Sequence, residues 1–309
     1  MTAGRLDRLP PVVRRQVPTL VVLAGAAVAT LYVTGNAVRL DTSIFIGINA
    51  LIALSVGISY GHAGVLSVAQ AAFAALGAYT TAILTVRYGW SPFVSLPLSL
   101  ALPAVVAYPV ARYVTRLSHL ALAIATLLFG DILLVLLRQG GDFTGGFNGI
   151  SAIPRPGPFD TSFRYHLLVW LVVCVAVALV SNAVTTTEGR AMRTIRHDPL
   201  RARADGVDVP TSLAGVFTFA AMLAGAAGWL YAHYISYLAP ESLPPSLSIS
   251  VILMAVIGGA AYVVGPIVGA VFLGVFETYL PAEQTKGLLY GGVLVAVLLV
   301  APEGMLGMA

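Results

Sequence analysis

The sequence has 309 residues, of which 58% are hydrophobic and 10% charged, and its mean hydropathy is +0.90. Soluble domains carry roughly 25% charged residues, so this composition excludes an ordinary water-soluble globule. The formal net charge is +4, and basic clusters beside apolar runs fix topology or touch anionic lipid more readily than they bind nucleic acid.

Residues 1–17 form a basic N-terminal segment with Arg5, Arg8, Arg14 and Arg15. Basic residues before a first apolar run place that end in the cytoplasm. The transmembrane region is expected over 18–301, with a C-terminal tail at 302–309. The first span falls at 18–34, Arg39 and Asp41 mark a short outer loop, and the second span falls at 44–60. Residues 61–86 are apolar but rich in Gly, Ala, Ser and Thr; small side chains let backbones approach closely, so this segment belongs inside the bundle. Further spans follow at 92–110 and 117–137. Residues 138–164 carry too much Gly and Pro for a helix and read as an outer loop folded back over the mouth of a pathway. The next span is 165–183. It holds Cys174, the single cysteine, which reads as a small buried hydrophobe.

The segment 184–212 differs from everything around it. It carries Arg190, Arg193, Arg196, Arg201 and Arg203 between two long apolar runs. Six crossings from a cytoplasmic N-terminus return this island to the cytoplasm, and the positive-inside rule places it there independently. Two short helices are expected within it. Thr187 caps the first, with Glu188 in its first turn and Ala191, Met192 and Ile195 along one apolar stripe. Asp198 and Pro199 start the second as N-cap and first helical residue, and Gly206 stops it. A loop that only fixes topology needs no apolar stripe, so the island reads as a docking surface for a soluble partner. Another span is expected at 213–235, then an outer turn. Residues 248–280 are too long for one ordinary span and short for two. Gly258, Gly259, Gly265 and Pro266 interrupt them, and broken helices are tolerated only against protein or a watery cavity. A last span falls at 288–300. Glycine-rich segments thus occur in both halves, the usual sequence pointer to a transport site at a repeat interface.

Several polar residues lie in apolar surroundings. Asp131 is expected to face the bundle as a structural acid, bonding a neighbouring helix or reaching toward Arg138, because a charge at membrane depth is costly. Asn49, Ser67 and Gln70 read first as interhelical hydrogen-bonding groups and second as substrate contacts. Glu277 has no evident role. His62, His119 and His233 lack metal-ligand spacing, so no metal is expected. No catalytic set or phosphate-binding loop occurs in a plausible context, so no cofactor is expected and the chain is not read as an enzyme. The fold class is all-α: a polytopic helical bundle with broken or re-entrant helices.

The stretch INALIALSVGISYGHAGVLSVAQAAFAALGAYTTA resembles the signature of the high-affinity branched-chain amino acid ABC permeases. FGDILLVLL, TGGFNGI, EGRAMRTIRHDPLRARADGVDV, VIGGAAYVVGPIVGA and PEGMLG follow in the family's order, so the resemblance covers about residues 44–306. It is most like the second of the two permease subunits in such importers. The resemblance implies a second permease subunit, two cytoplasmic ATPases and a periplasmic or lipid-anchored solute-binding protein, in a prokaryotic cell membrane. It implies coupling to the ATPases through Glu188, Gly189, Arg190, Arg193, Ile195, Arg196, Ala202, Ala204 and Gly206. It implies a pathway lined by Asn49, Gly61, Gly64, Ser67, Gln70, Gly77, Thr144, Asn148, Gly258, Gly259, Gly265 and Pro266. The chain departs from the family pattern at Val68, Ala69 and Gln70, which bears on substrate range. Permeases of the same type for amides, urea, sugars or nucleosides, and an ion-coupled secondary transporter, are the alternatives.

Overall fold

The computed structural model describes residues 11–279, 291, 292, 295, 299 and 304–308. The expected span at 288–300 falls largely outside the described residues, as do Arg5 and Arg8. Among the described residues the chain is helical almost throughout, and seven helices are long and apolar enough to cross a membrane.

Helix α1 (Pro11–Val33) is followed by α2 (Ala37–Val56), which runs on into a π-helical turn at Gly57–His62. An irregular stretch then leads to α3 (Gln70–Arg87), α4 (Pro92–Val114) and α5 (His119–Gln139). After α6 (Ser162–Thr185) come the two island helices, α7 (Thr187–His197) and α8 (Pro199–Ala204). Helix α9 (Val209–Ile235) returns across the bundle, and the broken pair α10 (Pro245–Gly258) and α11 (Gly265–Tyr279) follows it.

The expected outer loop at Arg39 and Asp41 is wrong in register. Both residues lie inside α2, and the turn is at 34–36. Asn36 explains the shift: its side chain accepts from the backbone N–H groups of Val38 (3.0 Å) and Arg39 (3.3 Å), capping the helix early. The charges then occupy exposed first turns, Arg39 over the Tyr32 ring at 4.5 Å and Asp41 accepting from the Tyr234 hydroxyl.

The core lies where α9 crosses α3 and α4. Gly77, Gly225 and Gly228 allow this crossing. A Cβ at Gly228 would overlap the Ala74 carbonyl oxygen, and one at Gly77 would overlap the Gly225 backbone. Small residues let the backbones close in and gain dispersion contacts, as membrane helices require. Three polar side chains inside this core hold one another and the backbone. His233 contacts Thr81 Oγ1 at 2.8 Å and the Pro154 carbonyl at 2.6 Å, while Trp229 Nε1 donates to the Pro92 carbonyl at 3.0 Å.

The 140–160 loop does fold back. Strands β1 (Ile150–Ser151) and β2 (Tyr237–Leu238) pair antiparallel, Ile150 opposite Leu238 and Ser151 opposite Tyr237. This short ladder fastens the loop onto the end of α9.

Candidate functional site: a broken-helix junction beneath the arginine island

The island is built by local rules. Thr186, one residue earlier than expected, caps α7 by accepting from the Gly189 N–H at 3.3 Å. Gly189 must be small, because a Cβ would overlap the Val184 carbonyl oxygen. Asp198 caps α8 as expected, accepting from Leu200 and Arg201 N–H at 3.0 Å each. Gly206 adopts φ +83° just past α8, the left-handed conformation that ends a helix. Asp208 then caps α9 through the N–H and hydroxyl of Thr211, and these bonds hold its carboxyl below the usual range. Arg112 from the end of α4 donates to the same Thr211 hydroxyl.

The apolar stripe anchors the island. Ile195 and Ala202 are buried beneath it, whereas Glu188, Arg190, Arg201 and Ala204 remain exposed. Arg193 folds back and donates to the Val184 carbonyl at 2.9 Å. Arg193, Thr194, His197, Asp198, Arg201 and Asp205 line a groove of about 390 Å³ on the outer side. Its mixed charge suits a polar partner surface better than a lipid one.

Arg196 makes the decisive contact. Its guanidinium donates to the carbonyl of Gly61, 135 positions away in the π-helical turn. Gly64, at φ +73°, has the Arg196 side chain directly over it. A carbonyl released where a helix breaks needs a donor, and the island supplies a charged one. The second break meets the first at the same place. A Cβ on Gly61 would overlap the Ala260 carbonyl oxygen, and one on Gly57 would strike the Pro266 ring. The 248–280 segment is therefore two helices folded against each other. Gly259 turns the chain at φ +103°, and Gly258 and Gly269 let α10 and α11 close together, against Gly265 and Met254.

The remaining expected pathway residues are scattered. Gly77 lies in the α3–α9 crossing, away from the junction. Ser67 is buried and accepts from the Ala69 N–H at 3.2 Å, a local turn bond. Gln70 is fully buried against Ser55. Ser55 has one hydroxyl proton and gives it to the Ile52 carbonyl at 2.6 Å, so the satisfied arrangement has the Gln70 amide nitrogen donating to Ser55. At this position of the family pattern the chain thus places a buried hydrogen bond between α3 and α2. Thr144 closes a turn in the 140–160 loop by donating to the Leu137 carbonyl at 2.7 Å, and Asn148 is exposed, its carbonyl accepting from Tyr237. Asn49 lines a second groove of about 430 Å³, between α2, α9, the start of α10 and α11.

Asp131 does not occupy the place expected of it. It is exposed on the outer side of α5 and has no partner among the described residues, while Arg138 pairs with Glu241 at 2.8 Å. The neighbouring Gly130 is the residue that packs inward, toward Ala72 and Pro245. One helical step of about 100° carries Asp131 off that face. Among the described residues no group of three His, Cys, Asp or Glu is placed to hold a metal.

Residues 38–298 match the model of the branched-chain amino acid transport system permease component. The chain belongs to that family. It is 29% identical to the high-affinity branched-chain amino acid transport system permease protein LivM of Salmonella typhimurium, over 87% of this chain and 70% of that protein. LivM of Escherichia coli K12 is also 29% identical, over 94% and 74%. A probable branched-chain amino acid transport permease protein LivH of Methanocaldococcus jannaschii is 26% identical, over 85% and 90%. No solved structure matches the chain. The family and the apolar helices together make this permease a multi-pass membrane protein.

Proposed function

We propose that this permease is one membrane subunit of an ATP-driven ABC importer and forms the translocation pathway for branched-chain or related amino acids. The observation that carries the reading is the bond from Arg196 to the Gly61 carbonyl. It joins the exposed island to the point where both broken segments touch. A soluble motor that grips α7 and α8 thereby pulls on the junction itself. ATP is hydrolysed on separate chains, because this sequence has no phosphate-binding loop. The partners are a second permease, two ATPases and a solute-binding protein that delivers the cargo. The island faces the cytoplasm of a prokaryote, and so does the N-terminus. Asp131 marks the face of α5 that meets the second permease, since a carboxylate near the middle of a membrane helix needs protein or water beside it.

The test is reconstitution of the importer with these partners in vesicles. Branched-chain amino acid uptake should require ATP. Arg196→Ala should lower uptake at least tenfold while the complex still assembles. If Arg193→Ala and Gly206→Ala leave assembly and solute-stimulated ATP hydrolysis intact, the island is not the coupling element. Uptake by this chain alone on an ion gradient would replace the reading with a secondary transporter.

A further inference from the structure

We propose that the second permease presents a lysine or arginine side chain to Asp131, and that this ion pair, sealed in an apolar seam along α5, joins the two subunits inside the membrane; the second permease itself rests on the function proposed above. Among the described residues Asp131 is the one charged side chain more than two turns from both ends of its helix. It lies about 18 Å from the His119 end of α5 and about 12 Å from the Gln139 end, at roughly 1.5 Å per residue. An aspartate has a single methylene and cannot reach water over such distances, as a long basic side chain does. Lipid tails offer no donor, so protein or a watery space must lie against it.

The helix cannot turn to bury this acid, because packing at three levels fixes its rotation. Thr126 Oγ1 accepts from the Val68 N–H at 3.0 Å. The Phe129 ring lies 5.5 Å from that of Phe73. Gly130 faces Ala72 and Pro245. Leu122, Thr126, Gly130 and Leu137 thus form the buried stripe, and Asp131 stands outside it with Leu128, Ile132 and Val135, all exposed. Spacings of three and four positions make these four side chains one face. Asp131 makes no hydrogen bond or ion pair among the described residues. A wall of a watery space would expose three aliphatic side chains beside each carboxylate, whereas a packed helix covers all of them and its one cation meets the acid. A second copy of this chain meeting the face across a two-fold axis would set carboxylate against carboxylate at one depth. The complement therefore comes from a different polypeptide.

Spin labels read what covers the face. In a Cys174→Ala background, Leu128→Cys and Ile132→Cys carry nitroxides beside Asp131, and Leu171→Cys, exposed on α6, is the control. In the permease alone all three should collide with dissolved oxygen, which concentrates in lipid. Once the second permease is bound, oxygen collisions beside Asp131 should fall several-fold, with no gain of collisions with a water-soluble nickel chelate, while the control stays unchanged. Oxygen access retained beside Asp131 would leave α5 in lipid, and nickel access gained there would put water against the acid; either outcome overturns the proposal. Charge is tested by recovery of the second permease with a tagged copy of this one. Asp131→Asn should lower recovery several-fold and Asp131→Glu should keep most of it, with thermal unfolding of the isolated permease unchanged by both. Full recovery with Asp131→Asn overturns the cationic complement. If the parental chain recovers no second permease at all, the importer reading itself fails, whereas a pair that forms with α5 still in lipid defeats only the ion pair.

Discussion

At Gly61 the space for one methyl group separates a closed junction from an open one. The neighbour in the way is a backbone carbonyl, that of Ala260, which cannot rotate aside as a side chain tip does. Gly61→Ala should therefore force the two broken segments apart, at about 1–3 kcal/mol, the usual cost of overpacking. Thermal unfolding of the purified permease in detergent reads this directly, and an unchanged midpoint would show that the junction gives more easily than its packing indicates. Asp131 supports a different prediction. It has no partner in this chain among the described residues, so Asp131→Leu should leave the isolated permease no less stable. The same change should reduce recovery of the second permease with a tagged copy of this one. Undiminished recovery would move the subunit interface elsewhere. Single residues were the scale at which the sequence was least informative. Arg196 was conspicuous as a charge, but its partner Gly61 is 135 positions away, and spacing along a chain says nothing about such contacts. The cost of a charge at membrane depth says that Asp131 needs a partner, but not which way its helix is turned.

Helices and their ends were far more legible, because capping and breaking are local. Asp198 with Pro199 and the left-handed Gly206 were readable as start and stop signals and lie where expected. The Asn36 cap is not legible from charge: Arg39 and Asp41 mark a loop by sequence, yet the turn lies one helical turn earlier, at 34–36. The two-residue pairing of β1 with β2 has no periodicity to detect. The small-residue character of 61–86 was informative, since α3 is indeed enclosed by its neighbours. How tightly depends on individual glycines. Gly228 and Gly215 lie on the same helix, α9, and differ sharply. A Cβ at Gly228 overlaps the Ala74 carbonyl, whereas one at Gly215 has nothing within 4 Å. Gly228→Ala should destabilise the bundle by about 1–3 kcal/mol through forced separation of α9 from α3. Gly215→Ala should be neutral or stabilising by up to about 1 kcal/mol, from improved helix propensity. Comparing the two unfolding midpoints under one condition checks the pair. Equal shifts would mean that the crossing is set by something other than backbone approach.

For the whole molecule, the coupling argument requires that the island and the folded-back loop lie on opposite sides of one membrane. The fold makes this testable with two exposed apolar side chains. Leu200, on the island, is 74% exposed, and Phe147, in the 140–160 loop, is 73% exposed. Both sit in polar or glycine-rich surroundings, so thiols placed there meet water and not lipid. The native Cys174 is buried and apolar, and its replacement by alanine removes the background signal. A membrane-impermeant maleimide applied to intact cells should label Phe147→Cys and leave Leu200→Cys untouched. In inside-out vesicles the pattern should reverse. Between the two probes the chain passes through α6, whose 24 residues span about 36 Å at 1.5 Å per residue. That exceeds a hydrocarbon core of about 30 Å, so the helix is long enough to separate the two labels. Labelling of both thiols from one side would place the island and the loop in the same compartment. A cytoplasmic motor could then not grip the island while a solute is delivered at the opposite face, beside the folded-back loop.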